Sequence, residues 1–270
     1  MTVEPGSTDF KFTMSGLERG LQVAHITTPV AQLICCQHDE DIEAVLHRPD
    51  LSRFDQIPVL EQGIIIGLVR RLTIPAAAKG EARTYMQPMG ESILISADAS
   101  LLEFITNDPL DRLVIRGTKI YGLVTRSDLL KLPVTLLGFA LVTHVEILML
   151  NMLLASGMSE QICLDYLNPG RKKEILKRHR DLTDNRADPH LLELTYFSDK
   201  LTILEQLAAE EIYASSLPDK EAIGQLKKIK ELRNMIDHTG GKVESADTIQ
   251  ELIHGLRLTR DWIKRWEPEQ

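Results

Sequence analysis

The chain has 270 residues, 43% of them hydrophobic and 26% charged, with a formal net charge of −8. This length suffices for two domains that each bury a core, and the acidic balance excludes a protein whose whole surface is built for nucleic acid. Residues 1–131 hold 13 Lys and Arg against 17 Asp and Glu, and residues 132–270 hold 18 against 22, so each half is near −4 and any basic site is local. Cys35, Cys36 and Cys163 are odd in number and two are adjacent. With no CxxC or Cys/His ligand spacing, they point to a reducing cytoplasm and to no metal site. The N-terminus carries Glu4 and no apolar signal-peptide core.

Residues 1–17, with Pro5, Gly6 and Ser7, read as a flexible lead-in. From residue 18 to 132 the sequence repeats itself in outline, over about 18–80 and 81–132. The first copy has an acidic opener Asp39–Leu46, a strand Ile57–Leu60, a turn at Gln62-Gly63 and an apolar strand Ile64–Val69. The second has Asp98–Ile105, a strand Arg112–Ile115, a turn at Gly117-Thr118, a strand Lys119–Val124 and a helix start at Ser127–Leu130. The openers lie 59 residues apart and the strand glycines Gly67 and Gly122 lie 55 apart. A repeat of this period, mixing helix with hairpin strands, predicts paired α/β units packed face to face, with clefts between them.

Past Pro133 the strand signals vanish. Six helices are predicted over Val134–Ser156, Ser159–Leu167, Arg171–Arg180, Leu191–Glu211, Lys220–His238 and Asp247–Trp266. Together they make an antiparallel bundle over residues 133–270. The apolar run Leu132–Ala155 is interrupted by His144, Glu146 and Asn151, which favours a buried bundle helix over a membrane span. The fold class expected is therefore α+β, a doubled α/β unit followed by an all-α bundle.

Two segments carry chemistry. The second repeat ends Gly122-Leu123-Val124-Thr125-Arg126-Ser127-Asp128, with a hydroxyl and a carboxylate three residues apart where a strand runs into a helix. Thr125 and Asp128 there suit the two hydroxyls of a ribose, beside a helix N-terminus that favours phosphate. The alternative is a plain helix cap. The second segment is Arg233-Asn234-Met235-Ile236-Asp237-His238, at the end of a helix that stops at Gly240-Gly241. Arginine offers a forked cation for phosphate and histidine a proton near neutral pH. Asn234 and His238 share a helix face, whereas Arg233 and His238 lie about 140° apart on an ideal helix. A joint site needs a loosened last turn or two chains. The alternative pairs Arg233 with Asp237 and sets His238 at a helix C-terminus.

The doubled unit resembles a tandem CBS-domain pair, whose glycine-apolar-apolar-(Thr/Ser)-x-x-Asp ending matches Gly122–Asp128. The resemblance implies nucleotide sensing, with AMP, ATP or S-adenosylmethionine as regulatory ligand and Asp128 on the ribose. The first copy departs from the pattern, with Arg70 at the hydroxyl position and Thr73 at the acidic one. At most one ribose site of the pair is therefore intact, and Arg70 or Arg71 is left to meet phosphate. Arg233–His238 resembles the Arg-x4-His motif of HEPN-domain ribonucleases, which are helical bundles and usually homodimers. That implies metal-independent attack of a ribose 2′-OH on its own phosphate, with His238 as general acid/base, Arg233 on the developing charge and Asn234 orienting. Glu146, a carboxylate in the apolar first helix, is expected to support Arg233 or His238, or to form a structural ion pair.

Together these expectations describe a cytoplasmic homodimer in which an adenosine-type ligand regulates an endoribonuclease acting on RNA in stress or phage defence, with no membrane and no DNA specificity. The cationic runs Arg171–Arg180 and Lys227–Lys230 suit an RNA backbone or a solvated face. A non-catalytic regulator whose bundle dimerises or binds a partner is the alternative. Small-molecule chemistry lacks a Gly-rich phosphate loop, nucleophile elbow or metal cluster.

Overall fold

The computed structural model describes residues 16, 19–107, 111–185, 187, 189–210, 217–238 and 246–267. The lead-in over residues 1–17 lies outside the described residues apart from Gly16. The chain divides into two compact units, Met1–Val134 and Thr135–Gln270.

The first unit holds two four-stranded sheets built to one plan. In one, β2 (Cys36–Gln37) runs parallel to β3 (Gln56–Glu61), which forms a hairpin with β4 (Ile64–Arg70), and β5 (Met86–Pro88) lies antiparallel outside β4. In the other, β6 (Leu94–Ser96) runs parallel to β7 (Arg112–Arg116), which forms a hairpin with β8 (Lys119–Val124), and β1 (Thr28–Pro29) lies antiparallel outside β8. The strand that precedes each repeat thus completes the sheet of the other. This exchange ties the two copies into one folding unit.

Local chemistry repeats along with the strands. Helix α1 (Ile42–His47) starts at Asp41, whose carboxylate accepts from the Glu43 and Ala44 amides at 3.0 and 3.2 Å. Helix α2 (Leu101–Thr106) starts at Ser100, whose hydroxyl accepts from the Glu103 amide at 3.4 Å. Each satisfies amides that a helix start leaves open. The β3–β4 hairpin turns through Gln62 and Gly63, both at positive φ, as a two-residue turn of matching twist requires. Both hairpins shift register at the same place in the repeat, between Val59 and Leu60 and between Val114 and Ile115. Ile65 and Leu68 of β4 pack with Leu113 and Leu123 of the other sheet, so the core lies between the sheets.

The strand glycines are explained by the exchange. Gly67 pairs with Pro88 and Gly122 with Pro29, each a residue of the exchanged strand. A Cβ on Gly67 would lie 2.6 Å from the Met86 Cγ, and one on Gly122 would lie 2.6 Å from the Thr27 Cγ2; each would also overlap a backbone oxygen, of Gln87 or Thr28.

The second unit is helical: α3 (Leu132–Ala155, its first turn within the first unit), α4 (Glu160–Asp165), α5 (Pro169–Asp184), α6 (Phe197–Ala209), α7 (Lys220–His238) and α8 (Ala246–Trp266). Ser159 caps α4, accepting from the Ile162 amide at 3.4 Å. The single helix predicted over 191–211 is split, a 3₁₀ turn at Leu191–Leu194 preceding α6. Side chains compete with the backbone at the break. The buried Thr195 hydroxyl donates to the Leu192 carbonyl at 2.6 Å, and the Asp199 carboxylate takes the Tyr196 amide at 2.9 Å. By length and composition α3 can cross a membrane, while 56% of its most apolar window is buried. Close helix approach is again made at glycine: a Cβ on Gly138 of α3 would lie 2.6 Å from the Ile236 Cδ1 of α7, and one on Gly255 of α8 2.9 Å from the Leu232 Cδ1.

Gly122→Ala is expected to cost about 1–3 kcal/mol of stability through overpacking, whereas Gly224→Ala, in open space on α7, is expected to stabilise by about 0.5–1 kcal/mol. Chemical denaturation of the two variants checks both signs. A Gly122→Ala protein as stable as the wild type would remove the close strand approach as a constraint.

Candidate functional site

In the second unit one carboxylate gathers two cations. Glu146 lies on α3, and its Oε2 is 3.7 Å from the Nη1 of Arg233 on α7, while its Oε1 accepts from the Nζ of Lys200 on α6 at 3.2 Å. Arg233 also lies 3.9 Å from the Asp237 carboxylate one turn on, and its guanidinium sits 5.9 Å from the centre of the buried Phe197 ring. The Arg233 side chain remains 31% exposed. Asn234, beside it, is exposed. Both pairings expected of Arg233, with Glu146 and with Asp237, are present together. Helix α7 runs to His238, but the His238 side chain and Thr239–Gly241 lie outside the described residues.

Lys200 is the member that the sequence reading missed. Its residue is only 3% exposed, and its ammonium donates to the Thr195 carbonyl at 2.5 Å as well as to Glu146. Burial pushes this lysine below the usual range, and the Glu146 charge opposes the shift. A signal was available in the sequence. Phe197, Leu201 and Leu204 form the apolar stripe of the helix, and Lys200 falls on the same face. A charge at a core position needs a counter-charge within reach, and the partly buried Glu146 supplies it.

In the first unit Thr125 and Asp128 form a capping box around the 3₁₀ turn Arg126–Leu130. The Asp128 Oδ2 accepts from the Thr125 amide at 2.6 Å and the Thr125 hydroxyl at 2.9 Å. Its Oδ1 takes the Lys131 ammonium at 2.7 Å and the Thr28 hydroxyl at 3.3 Å. Asp128 is 6% exposed, and four donors nearly fill the capacity of a carboxylate. The capping alternative is therefore realised here, and a ribose at Asp128 needs one of these donors to yield.

The first-repeat arginines are engaged unequally. The Arg71 guanidinium donates to the carbonyls of Leu46, Leu51 and Phe54 at 2.9, 2.9 and 3.0 Å, so its fork ties the chain just after β4 to the end of α1 and the segment that follows it. Arg70 reaches the Asp111 carbonyl at 3.5 Å. Asp111 in turn accepts from the Gln56 side chain at 2.6 Å and the Arg126 amide at 3.1 Å, joining the strand ends of both repeats. The three thiols are poor nucleophiles: burial raises Cys35 and Cys163, and pushes Cys36 up to about 11.

The sequence matches no family model and no curated protein. Solved CBS-domain structures resemble part of the chain. The CBS domain of a bacterial CNNM/CorC family Mg2+ transporter in complex with ATP is 18% identical, with 44% of this chain and 90% of that chain covered and a TM-score of 0.35. CBSX2 from Arabidopsis thaliana is 14% identical over 40% of this chain and 90% of that one, with a TM-score of 0.34. A CBS domain-containing protein from Bacillus anthracis str. Ames Ancestor is 16% identical over 44% and 96%, with a TM-score of 0.37. Each likeness covers less than half of this chain and leaves its chemistry to be argued from its own residues.

Lys200→Met, which leaves the Thr195 carbonyl and one Glu146 oxygen without a donor, is expected to cost about 1–3 kcal/mol. The folded chain gives up the Lys200 proton at lower pH than the unfolded chain, whose lysine titrates at 10.5. Stability contributed by Lys200 therefore rises as the pH climbs toward 10.5, and the cost of Lys200→Met grows with it. Denaturation of both proteins across that range checks the sign.

Proposed function

We propose that the chain is a nucleotide-regulated, metal-independent endoribonuclease of HEPN type, in which a CBS-type pair over residues 18–132 controls a helical bundle over residues 133–270. The setting of Arg233 carries this reading. Its guanidinium is partly exposed near the end of α7, held by Glu146 and backed by Phe197, with exposed Asn234 beside it and His238 ending the helix. Such a cation is oriented before substrate arrives, as stabilisation of a transition-state charge requires.

The chemistry is transesterification. The RNA 2′-oxygen bonds to the adjacent phosphorus as its proton passes to the His238 imidazole, and the bond from phosphorus to the 5′-oxygen breaks. The leaving 5′-oxygen takes a proton from the His238 imidazolium, which restores the neutral histidine, and the products carry a 2′,3′-cyclic phosphate and a 5′-hydroxyl. Arg233 binds the non-bridging oxygens, whose charge grows in the transition state. Asn234 orients the phosphate or the histidine, and Glu146 fixes Arg233. We assign the protein to a cytoplasmic homodimer in stress or phage defence. Its regulatory ligand is AMP, ATP or S-adenosylmethionine, bound where Thr125 and Asp128 follow β8.

Incubation with structured RNA and tRNA in the presence of a chelator is expected to give cleavage that Arg233→Ala or His238→Ala lowers by at least about 100-fold. Equal activity in both variants would sink the assignment. Calorimetry with each ligand tests the sensor half. Asp128→Ala is expected to abolish binding while costing about 0.5–2 kcal/mol through the lost cap; undiminished binding would remove Asp128 from the ribose. A non-catalytic regulator is the second reading, favoured by the two carboxylates that flank Arg233. It predicts no cleavage and full regulatory function in His238→Ala.

A further inference from the structure

Helix α5 divides its cations into two sets. Arg171 is committed to Asp199 and Glu174, both at 2.8 Å, and Lys172 to Asp165. Lys173, Lys177, Arg178 and Arg180 are exposed, and among the described residues none of these four has a carboxylate partner within ion-pair distance. Lys173, Lys177 and Arg180 recur at four and three residues, so they stand on one face and span about 10 Å of helix. Asp181 and Asp184 are also exposed on this helix, so four unpaired cations against two carboxylates leave a cationic surplus that, in a protein of net charge −8, is suited to a polyanion.

The start of this helix is linked to the Arg233 site. Arg171 binds Asp199, the residue before Lys200, and its guanidinium lies 4.1 Å from the centre of the Tyr196 ring. Tyr196 precedes Phe197, which backs Arg233. Two arginine–aromatic contacts thus stand at consecutive residues. Phe197 is buried, but Tyr196 is 50% exposed and offers ring surface to a base.

We infer that RNA runs from Arg233 over Tyr196 and along the outward face of α5, with Tyr196 stacking a base, Lys173, Lys177 and Arg180 holding the phosphate backbone and Arg178 supporting it from the flank of the helix. This rests on the ribonuclease reading for its choice of RNA. An anionic membrane is the competing polyanion. Membrane helices of this kind bury an apolar face in lipid, whereas α5 turns its Ile175 into the bundle and exposes no large apolar side chain among its described residues.

The test uses the full chain in a His238→Ala background, so that RNA survives the titration. Fluorescence anisotropy with a labelled single-stranded RNA of about 20 nucleotides is read from about 50 to 200 mM salt. Replacing Lys173, Lys177, Arg178 and Arg180 together by Gln is expected to weaken binding at least tenfold at the low-salt end and to flatten the salt slope by about 0.7 per lost phosphate contact. Tyr196→Ala is expected to weaken binding at every salt concentration by about tenfold with the slope unchanged. Circular dichroism confirms that the variants fold, and the same four positions as a Lys/Arg exchange set should retain binding.

Wild-type affinity and slope in the Gln variant would overturn the inference. So would capture of the chain by phosphatidylcholine–phosphatidylserine vesicles with no measurable RNA binding. Binding that depends on α5 without cleavage by the wild type would sustain the RNA surface and sink the nuclease reading. Cleavage with binding that ignores α5 would do the reverse.

Discussion

The organisation of the second unit turns on one partly buried carboxylate. Glu146 sits in a largely apolar helix, where an unpaired charge is costly to desolvate, and its two oxygens face Lys200 and Arg233. Lys200 is the more buried cation and is tied a second time by the Thr195 carbonyl. Arg233 keeps an exposed edge. The difference in burial separates their roles: the lysine fixes the carboxylate, and the carboxylate presents the arginine.

The break before α6 serves the same arrangement. Had the helix continued from Leu191, the Thr195 carbonyl would have been consumed by an intrahelical bond. Because the chain leaves the helix at Thr195 and re-enters at Phe197, that carbonyl is available to Lys200. The restart also brings Asp199 to the Tyr196 amide and to Arg171, so the first turn of α6 connects the bundle core to α5.

In the first unit the constraint is steric. Each repeat lends its leading strand to the other sheet, and that strand passes so near β4 or β8 that a glycine must lie beneath it. The polar residues at the strand ends are then used largely on one another. Arg71 staples three carbonyls within the first repeat, and Asp128 is surrounded by four donors, one of them Thr28 of the exchanged strand, so residues that looked like ligand groups by type are engaged in the fold.

What the sequence determined by itself was whatever depends on neighbours along the chain. The hairpin turn at Gln62-Gly63, the doubled α/β order and the helical second half follow from local propensity and periodicity, which act within a few residues. Tertiary structure decided what depends on desolvation and on distant partners. Sequence spacing cannot reveal that Glu146 and Lys200, 54 residues apart, share a bond, or that Asp128 meets Thr28 across 100 residues. Nor could it show that Gly67 and Gly122, alike in the repeat, are kept small by strands lent from the opposite copy. The energy of a buried charge or of an overlapping Cβ is set by atoms that only folding brings together.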